Sequence, residues 1–425
     1  MQNHHIKKPE TVAVIGAGSR GRDSYGRYIK RNPDRLNVVA VAEPDEDRRK
    51  LFSQEHDLER EARYTGWKQL MKENRLAEGI IISTMDDAHV QPAIKALERG
   101  YKVLLEKPIS PDLEGIKKLY GKYKETGGIV LVAHVLRYTR FFQKLKELLE
   151  KGSIGKVRFV DLMENIGFFH FAHSYVRGNW RSTDVAAPII LAKSCHDLDI
   201  LHWLLGTKTK ELYSHGSREV FRAEEQPDGA SDRCLDCELE LECPYSARKI
   251  YLRYSKGNEW PASVISGEHS REGRLHALRK GPYGRCVWQC DNDVPEVQTV
   301  HLTQTDNTEV NFMLTAFSKD ITREIKIYGS RGEIRGHLER GEIEVSQFGQ
   351  SDYSIDIQAK PGGHNGGDTG LMDKFVEVLG GESKPEDGLS TSLDDSIESH
   401  LLAFAAERSR DKGSVINPQS LREKL

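Results

Sequence analysis

Thr11-Val12-Ala13-Val14-Ile15-Gly16-Ala17-Gly18-Ser19-Arg20-Gly21 is a β-branched and apolar run that passes directly into a Gly-x-Gly-x-x-Gly turn. The run predicts a strand and the residues beyond the turn a helix, which is the context that gives the three glycines a physical task. Gly16 permits the turn, Gly18 lets the backbone approach a pyrophosphate, and Gly21 allows close helix packing. With Ser19 and Arg20 between them they form a cofactor-binding stretch, because the helix start offers free N–H groups to phosphate oxygens. A glycine-rich loop without ligand is the competing reading.

Working outward, a second apolar run, Leu36 to Ala42, ends at Glu43. A carboxylate there binds the adenosine ribose hydroxyls of a dinucleotide and repels a 2′-phosphate, so it predicts NAD rather than NADP. Asp45 is the nearby competitor for that role, and Arg48 and Arg49 pull the other way. Gly79–Thr84 predicts a third strand, Val90–Arg99 a helix and Lys102–Leu105 a fourth strand. Strands alternating with helices predict an α/β Rossmann domain with a doubly wound parallel sheet.

Near Val132 the alternation stops. Val157–Met163, Thr299–Thr315 and Glu324–Tyr328 have strand character between loops, which predicts a second, α+β domain on a largely antiparallel, open-faced sheet. The expected division is an NAD-binding domain over residues 1–133 and a substrate domain over 134–425. A last amphipathic helix is expected over Asp394–Arg408, with Ile397, Leu401, Leu402 and Phe404-Ala405 on one side.

The 425 residues suit two domains, and a formal net charge of −3 with mixed signs gives no field suited to nucleic acid. Hydrophobic residues make up 37% of the chain, the mean hydropathy is −0.59, and no apolar run is long enough for a membrane helix. Met1 to Glu10 is polar and has no secretory pattern, so a cytoplasmic protein with reduced thiols and a small-molecule partner is expected.

Thr84 and His89, then Glu106-Lys107-Pro108, then Cys195-His196-Asp197-Leu198-Asp199 follow the glycine fingerprint in order. In this the chain resembles the Gfo/Idh/MocA oxidoreductases over nearly its whole length. The resemblance implies that Thr84, His89, Glu106, Lys107 and Pro108 lie about the cofactor, with Lys107 near the nicotinamide and the reacting carbon and Pro108 in a cis bond. It implies that His196 is the catalytic histidine, able to take a hydroxyl proton while an ammonium at Lys107 stabilises charge on the oxygen. It also implies a homo-oligomer formed through the open sheet. The sequence departs from inositol-dehydrogenase-like members at Ala192, where they carry aspartate, and adjacent Lys193 is a candidate catalytic and substrate-binding replacement.

Polar and aromatic groups cluster in His134-Val135-Leu136-Arg137-Tyr138, Glu164-Asn165 and His170 to Trp180. Of these His134, Arg137, Tyr138, Glu164, His173, Arg177 and Trp180 are candidate substrate contacts, with Asp199, and with Asp293 and His364 from later glycine-rich loops. Hydroxyls need paired donors and acceptors, sugar faces pack on rings and arginines clamp anions, so a polar or anionic carbohydrate is expected. Each histidine taken singly also fits a structural role.

Cys234, Cys237 and Cys243, in a C-x2-C-x5-C arrangement, with Cys286 from the later pair Cys286 and Cys290, are candidate metal ligands. They lie in an insertion spanning about 230–292. Structural zinc is the expectation, with reduced thiols or an iron–sulfur centre as alternatives. For function, hydride transfer between NAD and a ring carbon of a sugar is expected. The alternatives are an NAD-dependent glycoside hydrolase or lyase working by transient oxidation and elimination, and a non-catalytic nucleotide or sugar sensor.

Overall fold

A computed structural model describes residues 8–184, 186–256 and 259–425. The polar start lies, up to residue 7, outside the described residues. The apolar runs read from the sequence form a six-stranded parallel sheet: β1 (Glu10–Ile15), β2 (Leu36–Ala42), β3 (Arg63–Tyr64), β4 (Gly79–Ile82), β5 (Lys102–Leu105) and β6 (Val130–Val132). Their order is β3-β2-β1-β4-β5-β6, so the chain reverses direction across the sheet between β1 and β4. That reversal opens a crevice at the carboxyl ends of the two strands, where a ligand binds in such folds.

Both faces of this sheet are buried, which is why its strands are continuously apolar. Ala13, Ile15, Ile80, Ile82, Val103 and Leu105 join the larger core. Val12, Val14, Leu36, Ile81 and Leu104 face the other way and meet Leu371, Met372 and Phe375 of the helix Gly367–Leu379. Lys102 Nζ caps that helix by donating to the carbonyls of Val378 and Leu379 at 2.9 and 2.7 Å. A segment from the far end of the chain therefore completes the first sheet's outer layer, across the division read near residue 133.

The second sheet has eight strands: β7 (Val157–Asn165), β8 (Thr209–Ser217), β9 (Val297–Gln304), β10 (Glu309–Thr315), β11 (Thr322–Gly329), β12 (Gly332–His337), β13 (Glu342–Gln347) and β14 (Tyr353–Asp356). The order is β14-β13-β12-β11-β7-β10-β9-β8, antiparallel except where β7 runs alongside β10. The stretch read as one strand, Thr299–Thr315, is a hairpin, because Asn307 takes the left-handed conformation (φ 62°) in a turn between β9 and β10. Val300, Leu302, Val310, Phe312, Ile325 and Ile327 are buried along one face.

Against that layer lie the helix Cys195–Leu205 and the helix Leu393–Lys412, which extends the expected Asp394–Arg408 at both ends. The Ser392 hydroxyl caps its start by accepting from Asp395 N, and Gly413 (φ 58°) ends it in a left-handed turn. It is buried on more than the expected side: Ser396, Ser399, His400 and Ser409 are inside as well as Ile397, Leu401 and Leu402. No described helix is long and apolar enough to cross a membrane.

Candidate active site

The glycine turn has the geometry its residue types require. Gly16 sits at φ 90° and a Cβ there would meet Ser83 O at 2.6 Å, while one on Gly21 would meet Gly16 O at 2.0 Å. A Cβ on Gly18 would meet nothing within 4 Å, so the turn is open on the side where a pyrophosphate would lie. Glu43, buried below it, accepts from Ala17 N at 2.7 Å and Asp45 N at 3.0 Å, one bond to each carboxylate oxygen. A carboxylate has about four lone-pair sites, so acceptor capacity for ribose hydroxyls remains. Arg49 Nη1 turns away from the ribose position and donates to the carbonyls of Glu43 and Pro44. On the next crossover Thr84 Oγ1 is buried without a partner. An open cradle, an acid at the end of β2 and an orphaned hydroxyl after β4 fit a dinucleotide.

Arg20 has a different task from its neighbours in the turn. Its guanidinium donates to Glu106 Oε1 at 2.5 Å and to both Asp368 oxygens at 3.0 Å, and it bonds Ser24 and Tyr25. Burial opposes ionisation of Glu106 and Asp368, yet Arg20 beside them holds both below the usual carboxylate range. This cluster ties the glycine turn, the end of β5 and the helix Gly367–Leu379 into one unit. His89 is likewise a brace, with Nδ1 2.6 Å from Pro108 O and Nε2 3.2 Å from Thr84 O. The Lys107–Pro108 bond is cis.

Lys107 leaves β5 toward the second sheet, where its Nζ donates to Ala192 O at 2.6 Å. Thus the carbonyl of Ala192 meets the ammonium at the position where the aspartate side chain is missing. Three side chains surround the lysine. Asp86, which the sequence reading did not select, is buried, accepts from Trp180 Nε1 at 3.3 Å, and is raised by burial against the pull of Lys107. His196, at the start of the helix Cys195–Leu205, has an unpartnered buried Nδ1 and is held well below the usual imidazole range by burial and by Lys107. Its ring stands 5.8 Å from that of His134 and 6.1 Å from that of His364.

Lys193 lies in a buried charge network. Its Nζ is 3.1 Å from Glu164 Oε1, Arg323 Nη2 is 2.8 Å from Glu164 Oε2, and Arg323 Nε donates to Asp197 at 2.6 Å. Burial lowers Lys193 while Glu164 opposes the shift, and burial pushes Asp197 up to about 6 against the pull of Arg323. Arg323 is invisible to motif reading because it is one arginine on the β11 strand. His170 completes this side: its buried Nδ1 has no partner, and burial, then Lys193, push it well below its ordinary value.

Several expected substrate contacts are satisfied elsewhere. Arg137 grips Asp199 through Nε and Nη2 at 2.8 and 2.6 Å and donates Nη1 to Ser390 O, so this pair is mutually neutralised and buried. His134 lies behind His196, lowered to about 4 by burial, and Asp199 faces it rather than His196. Tyr138 bonds Leu389 O and Thr391. His173 bonds Tyr251 and stacks on Tyr283 at 4.9 Å. Asp293 accepts from Ser182 and Thr183 and so braces their loop. His364 does reach the cleft, anchored to Asp368 at 3.0 Å.

The four-cysteine zinc site expected from spacing is corrected by the geometry. Among the described residues no group of three or more His, Cys, Asp or Glu side chains could hold a metal ion. Cys234, Cys237, Cys243 and Cys286 instead line the wall of a cavity of about 360 Å³, and Arg177 lines it with them rather than reaching the cleft.

Comparison with known proteins gives matches along both sheets. Residues 11–134 match the model of an oxidoreductase family described by its NAD-binding Rossmann fold, and residues 146–417 match that family's C-terminal alpha/beta domain. The 2,7-anhydro-N-acetylneuraminate hydratase of Mediterraneibacter gnavus is 24% identical over 60% of this chain and 63% of its own. The scyllo-inositol 2-dehydrogenase (NAD(+)) of Bacillus subtilis is 27% identical over 48% of this chain and 56% of its own. The chain thus spans under two thirds of either relative. An oxidoreductase from Agrobacterium radiobacter, solved with NAD+, L-tartaric acid and magnesium, shares the fold with a TM-score of 0.69 at 18% identity, covering 97% of this chain and all of the other.

Proposed function

The chain belongs to the Gfo/Idh/MocA oxidoreductase family, and from that premise we propose that it is an NAD-dependent enzyme moving hydride at a ring carbon of a polar, sugar-derived substrate. Bound NAD supplies the hydride acceptor. The observation that carries the reading is the neutral, unpartnered imidazole of His196 beside the Lys107 ammonium in a cleft at the end of β5.

A neutral imidazole takes the proton of a substrate hydroxyl, whose carbon gives up hydride. The Lys107 ammonium has three N–H donors, of which Ala192 O takes one, so the others can meet the oxygen on which charge changes. His364 on the same side of the cleft and Trp180 against Asp86 offer a polar wall and a ring for a sugar. Glu43 at the end of β2 disfavours a 2′-phosphate, which makes NAD the preferred cofactor.

His170 favours a second reading. It is a further neutral imidazole without a partner at Nδ1, near Lys193 and His364. Transient oxidation acidifies a neighbouring C–H, and a second base there would remove that proton and permit elimination of a glycosidic group. A hydratase and a dehydrogenase among the relatives make both outcomes chemically reasonable for the family. Incubation of the purified protein with NAD and a panel of sugars, sugar acids and aryl glycosides separates them. Net NADH formation supports simple oxidation, and glycoside cleavage with catalytic NAD supports the second reading. Tight NAD binding with no turnover of any carbohydrate would overturn both in favour of a sensor.

A further inference from the structure

The insertion after β8 folds around Arg177, and the charge there is unbalanced. The Arg177 side chain is 1% exposed, Nε donates to Arg285 O at 2.8 Å and Nη2 donates to Tyr245 O at 2.9 Å and to Cys234 Sγ at 3.4 Å. Its Nη1 is buried with no partner. Among the described residues no carboxylate pairs with this guanidinium, whereas the equally buried Arg137 and Arg323 each hold an aspartate. An isolated buried cation costs several kcal/mol, of order the desolvation of one ion, unless an anion answers it. The nearest groups able to carry negative charge are thiols.

Cys234, Cys237, Cys243 and Cys286 come from three separate stretches of the insertion and line one cavity of about 360 Å³ with Arg177. Two backbone constraints bring them together: Cys286 N donates to Asp232 O at 2.8 Å, and Arg233 bridges to Arg285. A single tetrahedral ion would draw four sulfurs to within about 3.8 Å of one another, as metal–sulfur bonds of about 2.3 Å require. The thiols surround a space rather than a point, and no single-ion site is formed. A polynuclear cluster needs the opposite arrangement, with cysteines spread around a volume that the cluster fills.

We propose that Cys234, Cys237, Cys243 and Cys286 hold an iron–sulfur cluster in this cavity. Four thiolates about such a cluster give the net negative charge that Arg177 lacks, and the unpartnered Nη1–H is a hydrogen-bond donor for a cluster sulfide. Its role is structural: Arg177 ends the helical segment Ala172–Arg177, which continues from the helix carrying His170, so the cluster anchors the wall of the cleft.

The test is purification of the full chain without oxygen or chelators, or its reconstitution with ferrous iron and sodium sulfide. Expected are iron and acid-labile sulfide in equal amounts and a broad absorption near about 400 nm. Cys243→Ser and Arg177→Met should lose that absorption, whereas Cys290→Ser, whose thiol contacts Cys286 O and does not line the cavity, should keep it. If the cysteine variant fails to fold, chelator stripping of the wild-type chain provides the same contrast, with circular dichroism reporting the fold. One zinc per chain without iron, or four freely titrating thiols after reconstitution, would overturn the cluster. Loss of absorption in Cys290→Ser alone would overturn the ligand assignment.

Discussion

Lys107 and His196 are brought together by groups that do not react. His196 stays neutral because it is buried and faces the Lys107 charge, and Lys107 is aimed by the Ala192 carbonyl. Lys107→Ala and His196→Ala are each expected to lower turnover by about 100-fold or more, with NAD affinity changed by less than about threefold. Fluorescence titration of NADH checks the second half. The Lys193 ammonium, paired to Glu164, is expected to position rather than to abstract protons, so Lys193→Arg should keep more activity than Lys193→Ala. Equal loss in both variants, together with a shifted acid limb of the pH profile, would instead make Lys193 the base.

At the scale of elements, the site depends on three connections that converge on one crevice: the turns after β1, β4 and β5. Gly16 has both a left-handed φ of 90° and a contact that no Cβ could make. Gly16→Ala should therefore cost about 1–3 kcal/mol of strain, visible as a lower Tm, and weaken NAD binding by about tenfold. The Arg20 cluster carries this geometry to the helix Gly367–Leu379, so Asp368→Asn should weaken NAD without direct contact to it. An unchanged Kd in Asp368→Asn would show that the glycine turn holds its shape alone.

For the whole molecule, the first sheet is not an independent body. Val12, Val14, Ile81 and Leu104 are covered by Leu371, Met372 and Phe375, so a fragment over residues 8–150 should expose an apolar face and unfold without cooperativity. A sharp thermal transition of that fragment would contradict this packing. Stability should also fall in mild acid. His134 is lowered to about 4, and His173 and His400 to about 3, by burial, all below the ordinary imidazole value of about 6.5. Between pH 6.5 and 4 the unfolded chain binds protons at these sites and the folded one does not, so each site removes about 1.4 kcal/mol per pH unit as pH falls. Asp197, raised to about 6, acts in the opposite direction over the same window and offsets about one of the three. The urea midpoint should drop between pH 7 and pH 5, and an unchanged midpoint would contradict neutral burial of these imidazoles.

Local patterns determined a good deal of this. The apolar run into Gly16-x-Gly18-x-x-Gly21 and the acid at Glu43 are read from adjacent residues, because a strand, a turn and a helix start are set by near neighbours and by where a side chain is tolerated. The order of Lys107 and His196 along the chain, with the family it resembles, was legible for the same reason. Partnership was not legible. Arg137 and Asp199 look like substrate ligands in sequence, and only folding places them 2.6 Å apart, each neutralising the other. Arg323, Asp86 and Asp368 gain importance only from charges that arrive from distant strands. The helix Gly367–Leu379 reads as part of the second domain, yet it covers the first sheet, since a buried face is closed by whichever apolar helix the topology delivers. Spacing nominated four cysteines, and tertiary structure decided that they surround a cavity with an unanswered arginine instead of meeting at a point. Long-range electrostatics and packing depend on three-dimensional distance, which sequence separation does not encode.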